Sequence, residues 1–556
     1  MTTFYSTVPH MGSVPTGKFW GQLVMENIGG VADDKVVLVE ASDGTATTFK
    51  ELREQAHRLA LFLKEYFSLE QDDVVALICV NSARYAVLVL ALELTGAVPT
   101  CLNPHLTASE LEHCLALPGD KLKGVICSPG STVSSSHTAL EALHLAGGVL
   151  MWEITNEAWA AATTSKANAE LGPLPELRGD PKEKCAIIFS SSGTTGKPKG
   201  ESRKRAYQFQ AGWPEFFNSS CTNTNVLPLF HAYGSMCCIL GGLLFGAKFV
   251  HFERFRIDTF TKAIREHQAT HLTIVPPIAV ALVDQHKQSA STLASIQGCM
   301  VGSAPLKREL ALELLEAMPN ASIIQSYGMT EMAPATHMLP QKDSTRECLL
   351  SGTAGRLLPG MEARLALDDG TPVSDGTVPG ELFLRGPNRM LGYLGNAKAT
   401  QEAIDKDGWL RTGDIFTVDQ DGCWWYVGRS KEIIRVNCFQ VSPVELEECL
   451  LESDEVLDCA VVAQADPRKE TEVPIGFVVL RDAHKQPESI LDDLLQSANS
   501  RLVRYKRMAR LIAIDAIPRS AAGKVLRTRL AASQDVRLPS MAAPAPAAHS
   551  ATIAAA

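Results

Sequence analysis

Apolar runs and amphipathic segments alternate from the start of the chain. The runs at 35–40 and 73–80 have the length of buried strands, whereas 49–66 and 84–95 carry apolar residues at helical spacing. Thr48, just before the first helical segment, is a typical N-cap residue. Strands that alternate with helices in this way predict βα units and a largely parallel sheet.

A second series of the same kind lies between residues 225 and 338. Its apolar runs at 247–252, 269–275 and 321–326 predict further strands of βα units. From residue 348 to 427 the pattern changes to short strands separated by Gly and Pro. This change predicts a small β-rich subdomain.

The chain of 556 residues is too long for a single hydrophobic core, so we expect at least two domains. We predict an α/β protein with a large N-terminal domain of α/β layers and a β-rich subdomain (1–427), followed by a small α+β C-terminal domain (428–535). Within the latter, 443–452 predicts a helix and 456–463 a strand. The Ala- and Pro-rich tail at 536–556 has little to pack and is expected to be disordered.

Composition and charge exclude several classes of function. Hydrophobic residues make up 46% and charged residues 21% of the chain, as in ordinary globular proteins. A net charge of −10 gives no general attraction to nucleic acid or to an anionic membrane, so any polyanion must bind locally. The most apolar long segment, 232–247, is too short to span a bilayer and predicts a buried helix.

The cysteines and the termini indicate the compartment. Fourteen cysteines are scattered without Cys-x-x-Cys pairs or zinc-like Cys/His spacing, which favours reduced thiols in an intracellular protein. Cys237 and Cys238 are adjacent in an apolar run and are expected to be buried small side chains rather than reactive groups. Residues 1–18 hold no secretory signal pattern and the C-terminus no peroxisomal one, so we predict a cytoplasmic protein.

One segment has the composition of a phosphate-binding loop. Residues 190–200 read Ser-Ser-Ser-Gly-Thr-Thr-Gly-Lys-Pro-Lys-Gly and follow an apolar strand at 186–189. Glycines permit the positive φ angles that turn successive N–H groups toward one anion, while hydroxyl and ammonium groups add donors and charge. The segment contains no Walker A sequence, and a flexible surface connection is the alternative interpretation.

Seven more motifs follow this loop. They lie at 227–234, 302–305, 327–331, 380–382, 408–414, 428–432 and 518–524. Together with the loop, and in this order, they resemble the adenylate-forming superfamily of acyl-CoA synthetases, peptide-synthetase adenylation domains and luciferases. The resemblance covers nearly the whole chain and implies that the C-terminal domain is a mobile lid.

The resemblance implies that the protein activates a carboxylic acid with ATP and Mg²⁺ as a mixed anhydride with AMP and then transfers the acyl group to coenzyme A. Two anions meet in the first step, so the site needs positive charge and rigid donors. The loop is expected to hold the β- and γ-phosphates. The residues that the resemblance assigns to this duty are Ser191, Ser192, Gly193, Thr194, Thr195, Gly196 and Lys199.

Other motif positions imply further contacts with the nucleotide. They are Gly302, Ser303, Ala304, Ser326, Tyr327, Gly328, Asp414, Arg429 and Lys524. Tyr327 would flank the adenine, and Asp414, which we expect at a strand end, would accept hydrogen bonds from both ribose hydroxyls. Arg429 would be the partner of Asp414, and an ordinary surface ion pair is the alternative.

Catalytic and metal-binding roles are implied in the same way. Lys524 resembles the family's lysine that contacts the attacking carboxylate and the α-phosphate, and Thr330 would hydrogen-bond that phosphate. Glu331 is the candidate ligand of a phosphate-bound Mg²⁺, which takes only one or two protein carboxylates. Rotation of the lid near residues 428–430 would remove Lys524 before the second half-reaction. Outside the motifs, Glu331 would be interpreted as part of a helix cap and Lys524 as a surface residue.

The resemblance also assigns an acyl pocket with a gate. Its residues are His231, Tyr233, Ser303, Ser326, Gly328 and Ala335. His231 would act in catalysis as the gate, whereas a single His in an apolar run is more commonly a satisfied core residue. An apolar pocket with one aromatic wall predicts a medium-chain or aromatic acid.

Three places depart from the family's pattern. Residues 201–205, Glu-Ser-Arg-Lys-Arg, replace an apolar-rich turn, and this basic trio is either a solvated face or added charge near pyrophosphate. Gly428 stands where the family has Asp or Lys and should loosen the hinge. Cys438 stands where thioester-forming relatives have the Gly that lies against the pantetheine arm, so coenzyme A as the acceptor is in question.

Three hypotheses follow. The first is an acid–CoA ligase, and the second is an adenylating enzyme that loads a separate acyl carrier protein, which Cys438 favours. The third is a nucleotide or acyl binder without turnover, against which Glu331, Asp414, Arg429 and Lys524 argue. The expected partners are a small carboxylic acid and coenzyme A or a carrier protein, with no nucleic acid and no membrane span.

Overall fold

The computed structural model describes residues 2–8, 17–143, 148–164, 172–191, 199–204, 216–288, 293–339, 343–367, 369–436, 439–466, 471–481, 487–519 and 524–532. The chain divides into two compact units. The first extends to Lys431 and also includes Lys524, whereas the second contains Glu432–Arg519 and the residues from Val525 onward. The predicted boundary between residues 427 and 428 stays a prediction. The tail at 536–556 lies outside the described residues.

The strands of the first unit form two sheets. In chain order they are β1 (Phe4–Tyr5), β2 (Val36–Glu40), β3 (Ala46–Thr48), β4 (Val74–Ile78), β5 (Val98–Cys101), β6 (Leu122–Cys127), β7 (Leu150–Glu153), β8 (Cys185–Ser191), β9 (Lys199–Lys204), β10 (Thr222–Asn225), β11 (Lys248–His251), β12 (His271–Ile274), β13 (Gly298–Val301), β14 (Ser322–Gly328), β15 (Ala335–Met338), β16 (Gly355–Leu357), β17 (Glu362–Ala366), β18 (Pro372–Val373), β19 (Gly380–Arg385), β20 (Gly392–Tyr393), β21 (Leu410–Val418) and β22 (Cys423–Arg429).

The α-helices of the first unit include both of the predicted helical segments, 49–66 and 84–95. They are α1 (Trp20–Met25), α2 (Phe49–Tyr66), α3 (Ala83–Thr95), α4 (Ala108–Ala116), α5 (Ser131–Ala142), α6 (Asn156–Thr163), α7 (Ile257–Glu266), α8 (Pro276–Gln288), α9 (Arg308–Ala317), α10 (Arg346–Leu350) and α11 (Ala397–Ala403). Thr48 caps α2 as predicted, because its hydroxyl accepts a hydrogen bond from the Glu51 N–H at 3.2 Å. The α3 helix is buried continuously from Tyr85 to Thr95, which is typical of a helix enclosed on all sides.

The long sheet has the strand order β1-β17-β19-β21-β22-β16-β15-β14-β13-β12-β10-β11-β2-β3, with β18 beside β17. Its half from β2 to β14 is parallel, which confirms the second βα series, and the half from β14 to β1 is antiparallel. The first series is divided between the sheets, because β2 turns back into β3 as an antiparallel hairpin and pairs with β11.

The other sheet has the order β20-β9-β8-β5-β4-β6-β7. The strands from β8 to β7 are parallel, and β9 and β20 add antiparallel pairs at one side. The resulting mixture of α/β layers with a β-rich antiparallel region confirms the predicted fold class.

The predicted buried helix at 232–247 is helical but irregular. An α-helical turn, Ala232–Gly234, continues as a π-helix, Ser235–Gly241, and then as a 3₁₀ turn, Leu243–Phe245. Cys237 and Cys238 are buried within it, as expected. Among the described residues, no helix is both long enough and apolar enough to cross a bilayer.

The second unit has the predicted α+β character. Its elements are β23 (Ile434–Val436), β24 (Phe439–Val441), α12 (Pro443–Leu451), β25 (Val456–Asp466), β26 (Thr471–Leu480), α13 (Pro487–Ser500), β27 (Arg510–Ala513) and α14 (Arg527–Ala532). The β25–β26–β27 sheet separates two apolar clusters, with Val461 in the cluster that contains α12 and Val462 in the other. Successive residues of β25 thus point to opposite faces.

Candidate active site

The predicted phosphate loop connects two paired strands. β8 and β9 are antiparallel, with Ser191 opposite Lys199, so both ends of the loop lie at the same end of this hairpin. Ser192, Gly193, Thr194, Thr195 and Gly196 lie outside the described residues. For Ser191 and Lys199 the structure describes the backbone only. The phosphate-binding roles of all seven residues stay predictions.

Asp414 lies in the middle of β21, so the expectation of a strand end is wrong. Thr412 and Gly413 suggested a turn before Asp414. Gly413 does adopt φ +74°, and the pairing with β22 shifts register between Ile415 and Phe416, yet the strand continues. The Asp414 side chain is 3% exposed, which excludes an ordinary surface ion pair. Its carboxylate accepts hydrogen bonds from Arg429 Nε at 3.0 Å and from the Tyr327 hydroxyl at 2.5 Å.

Tyr327 connects this carboxylate to an aromatic cluster. Its ring lies 4.6 Å from Phe416 and 5.6 Å from His337, between ring centroids. Burial, and then the Asp414 carboxylate, raise the pKa of Tyr327 well above its usual range. The hydroxyl therefore stays protonated and donates a hydrogen bond to Asp414. Burial lowers the pKa of His337 to about 3, so this imidazole is neutral. The cluster therefore presents Asp414 as the charged acceptor.

A buried carboxylate accounts for the motif at 380–382. Glu381 is 3% exposed and accepts two hydrogen bonds from Arg411, from Nε and from Nη2, both at 2.7 Å. The hydroxyl of Thr412 donates to the Leu382 carbonyl at 2.7 Å. These contacts fix β19 to β21 immediately before Asp414, and they give Glu381 a positioning role.

Thr330 and Glu331 lie in a 3₁₀ turn, Thr330–Met332, that follows β14. The turn requires Gly328, because a Cβ there would lie 1.9 Å from the Pro334 carbonyl oxygen. Tyr393 on β20 donates its hydroxyl hydrogen to Glu331 Oε1 at 3.0 Å. Since β20 pairs with β9, Tyr393 links Glu331 to the strand that leaves the predicted phosphate loop. Sequence reasoning missed Tyr393, because nothing local connects it to Glu331.

The donor set at Glu331 fits a magnesium ion that is held mainly by phosphate. The described residues contain no group of three or more His, Cys, Asp or Glu side chains that could hold a metal. Mg²⁺ bound through nucleotide phosphates needs only one or two protein carboxylates. Glu331 therefore fits this kind of ion and not a dedicated metal cage.

Replacing Tyr393 with Phe is expected to weaken the binding of Mg²⁺, because Glu331 loses the donor that orients it. About three- to tenfold more Mg²⁺ should then be needed for the half-maximal rate. The binding of Mn²⁺ to the nucleotide complex, followed by electron paramagnetic resonance, measures the same change without turnover. Tyr66→Phe is the matched control, since Tyr66 donates to the Met151 carbonyl far from these motifs in sequence. Equal Mn²⁺ affinity in wild type and Tyr393→Phe would contradict the expectation.

Three of the predicted pocket residues meet directly. A Cβ at Gly302 would lie 3.1 Å from Ser326 Oγ and 3.2 Å from the Tyr233 ring. The Tyr233 ring is buried, and its hydroxyl lies 3.3 Å from the Met300 carbonyl oxygen. Tyr233, Gly302 and Ser326 thus form one wall across β13 and β14.

The remaining pocket residues lie around this wall on neighbouring elements. Gly328 is paired with Ala335 across β14 and β15. Ser303 follows β13 at φ +72°, a strained conformation for a residue with a side chain, and the next helix begins at Arg308. His231 is half-buried, and its Nδ1 accepts a hydrogen bond from the Tyr233 N–H at 3.2 Å, so it caps the helical turn.

Gly428 and Arg429 lie inside the last part of β22. Gly428 is paired with Ile415, and Arg429 with Asp414. The predicted hinge at 428–430 therefore begins within a paired strand, and the connection between β22 and β23 consists of residues 430–433. Cys438 lies outside the described residues, so its effect on the acceptor is untested.

Lys524 is partly buried and is grouped with the first unit, whereas Arg519 before it and Val525 after it belong to the second unit. Val525 pairs with Arg519 as an isolated antiparallel bridge, and the Leu526 N–H donates to the Pro518 carbonyl at 2.8 Å. Residues 520–523 lie outside the described residues. The catalytic role of Lys524 stays a prediction.

Comparison with known proteins covers both units. Residues 26–394 match the family model of the AMP-binding enzyme, and residues 445–524 match that of the AMP-binding enzyme C-terminal domain. The chain is 32% identical over 514 residues to 4-coumarate–CoA ligase 5 of Oryza sativa subsp. japonica, which covers 91% of this chain and 93% of that protein. It is also 32% identical over 535 residues to the probable 4-coumarate–CoA ligase 1 of Dictyostelium discoideum, with 92% and 94% covered.

Solved structures show the same fold. The crystal structure of a benzoate CoA ligase from Burkholderia xenovorans LB400 superimposes with a TM-score of 0.78 at 24% sequence identity. The match covers 92% of this chain and all of that one.

Proposed function

Because the chain belongs to the family of AMP-binding enzymes and is an AMP-forming acid–CoA ligase, we propose that it activates a medium-chain or aromatic carboxylic acid through an acyl-AMP intermediate. The observation that carries this proposal is Asp414, a buried carboxylate held by Tyr327 and Arg429. A carboxylate has about four acceptor sites, so we expect Asp414 to accept hydrogen bonds from the ribose hydroxyls of ATP while it keeps Tyr327 and Arg429 as partners.

In the first half-reaction the substrate carboxylate attacks the α-phosphorus of ATP, and pyrophosphate leaves. Residues 191–199 hold the β- and γ-phosphates, and Thr330 hydrogen-bonds the α-phosphate. Lys524 stabilises the negative charge that develops between the carboxylate and that phosphate. Glu331, oriented by Tyr393, would hold Mg²⁺, whose charge would offset that of the phosphates.

In the second half-reaction the thiol of coenzyme A attacks the acyl carbonyl carbon, and AMP leaves. The C-terminal lid, residues 428–535, rotates so that Lys524 withdraws and the thiol enters. His231 gates the acyl pocket from its position next to Tyr233. The thioester and AMP are the products.

The wall of Tyr233, Gly302 and Ser326 supports an aromatic or medium-chain acid. The buried tyrosine ring offers a flat apolar surface, and Gly302 beside it adds no side chain to the wall. The names of the relatives, which are 4-coumarate–CoA ligases, favour the aromatic alternative. The fourteen cysteines include no Cys-x-x-Cys pair, and this pattern favours the reducing cytoplasm as the compartment.

A carrier-protein thiol is the second candidate acceptor, because Cys438 replaces the glycine that the family places against the pantetheine arm. The adenylation step is the same in both cases. Only the second half-reaction distinguishes them.

The test is pyrophosphate release from Mg-ATP with a panel of fatty, benzoic and cinnamic-type acids, each with and without coenzyme A. Mass spectrometry identifies the products. We expect one acid class to give an acyl-CoA thioester and AMP. Release that stops at acyl-AMP with coenzyme A, but proceeds with a pantetheinylated carrier protein, would favour the second acceptor. No acid-dependent release from any acid would contradict the proposed function.

A further inference from the structure

Arg527 lies three residues after Lys524 and is the first residue of α14. Its side chain is only 16% exposed and makes three kinds of contact. Nε donates to Glu432 Oε2 at 2.8 Å, Nη1 donates to the Val461 carbonyl at 3.0 Å, and both Nη1 and Nη2 contact the Glu447 carboxylate. This is a dense set of partners for one residue beside the predicted catalytic lysine.

The guanidinium is charged despite its burial. Burial alone would lower the pKa of Arg527, but the carboxylates of Glu447 and Glu432 raise it above its ordinary value. Both carboxylates therefore stabilise the buried charge of Arg527, and removal of either one leaves this charge with a single carboxylate partner.

The two carboxylates have different places in the fold. Glu447 is on α12 and also accepts the Val461 N–H at 2.7 Å, so it belongs to the packing of α12 on β25. Glu432 lies in residues 430–433, the connection between β22 and β23, and is 32% exposed. Arg527 thus joins the interior of the second unit to the segment where the chain enters it.

Arg519, which precedes Lys524 in the chain, is held by an ion pair as well. Arg519 Nη2 donates to both carboxylate oxygens of Asp458, at 2.9 and 2.8 Å. The Arg519–Val525 bridge closes the stem between these contacts, and Val525 packs against an apolar cluster of the second unit. Lys524 therefore emerges from a stem whose two sides are each anchored by an arginine.

We propose that Arg527 is a positioning residue that, through Glu432, holds the Lys524 segment in a fixed place relative to the connection between the units. The proposal rests on the proposed function, because only that reaction uses Lys524. When the second unit rotates about residues 430–433, this ion pair makes the connection and the lysine segment move together. Adenylation requires that lysine to be placed within a fraction of an ångström, so it depends on the pair. Thioester formation does not depend on the pair, because Lys524 has left the active site by then.

Glu432→Gln tests the proposal, because it removes the negative charge that pairs with Arg527 in the connection and leaves the contacts of Arg527 with Glu447 and Val461. Two rates are measured: acid-dependent exchange of pyrophosphate into ATP, and thioester formation from separately supplied acyl-adenylate. We expect kcat for exchange to fall about 10- to 30-fold. KM for ATP, the melting temperature and the thioester rate are expected to stay within the range of the wild type.

Glu445→Gln is the matched control. Glu445 is on α12 like Glu447 and is ion-paired with Lys506 at 2.6 Å, but it has no contact with Arg527 among those of the described residues. It undergoes the same loss of charge in the same unit. We expect wild-type values for both rates.

The outcomes separate this inference from the proposed function. Exchange by Glu432→Gln within twofold of the wild type would overturn the positioning role. So would an equal loss in both half-reactions with a lower melting temperature, because it would indicate a purely structural ion pair. A wild-type protein without any acid-dependent exchange would instead overturn the proposed function, and this inference with it.

Discussion

Substitution of Lys524 by Ala is expected to lower the rate of acyl-adenylate formation about 100- to 1,000-fold, and to leave the affinity for ATP within about threefold of the wild type. The ammonium group stabilises charge that develops only as the carboxylate attacks the α-phosphorus, so its loss affects the transition state more than bound ATP. Single-turnover formation of acyl-AMP measures the first quantity. Calorimetric titration with ATP measures the second.

Lys506→Ala provides the control for this substitution. Lys506 lies 18 residues before Lys524 and is ion-paired with Glu445, so the substitution removes a lysine ammonium group without changing a contact of Lys524. We expect this variant to form acyl-AMP at the wild-type rate. Wild-type adenylation by Lys524→Ala would show that the proposed mechanism is wrong.

Replacing Asp414 with Asn is expected to lower kcat/KM for ATP about 100-fold, a loss of about 3 kcal/mol, chiefly through KM. Asn has one acceptor oxygen where the carboxylate has two, so it cannot serve Tyr327, Arg429 and the ribose hydroxyls together. It also leaves the charge of Arg429 without its buried counterion. Steady-state kinetics with varied ATP measures the effect.

Two further variants test whether the effect of Asp414→Asn comes from its hydrogen bonds rather than from the loss of a charge in general. Tyr327→Phe removes one of the two protein contacts and is expected to cost roughly tenfold in kcat/KM for ATP. Asp72→Asn makes the same chemical change at the ion pair with Lys184, outside the motifs, and should leave kcat/KM unchanged. An unaltered KM for ATP in Asp414→Asn would contradict the assignment of the ribose contact.

The fold was predictable where short-range patterns decide it. Phe49–Tyr66 forms a helix because apolar residues recur at helical spacing behind the Thr48 cap, and this required no tertiary information. The partner of a strand is not local in this sense. Nothing in residues 36–40 shows that β2 pairs with β11, more than two hundred residues later, rather than with β4.

The candidate site shows the same limit. Asp414 and Arg429 belong to different motifs, and the sequence could suggest their pairing only through the family resemblance. Gly413 resembled a strand end, since left-handed glycine usually stops a strand, but pairing on both sides of β21 carries the strand through it. Tyr393 has no motif and reaches Glu331 only because β20 joins β9, so sequence reasoning could not find it.

The glycines of the predicted pocket would also determine how the acid preference of such an enzyme can change. At Gly302 an added methyl group would meet side chains, Ser326 and the Tyr233 ring, which can be exchanged or can turn aside. At Gly328 it would meet the Pro334 carbonyl oxygen, and backbone cannot yield without moving the turn that carries Glu331. Substitutions at Gly302 and its neighbours can therefore change which acid the predicted pocket accepts. A substitution at Gly328 would instead displace the turn that carries Glu331, so the activation of every acid is expected to fall.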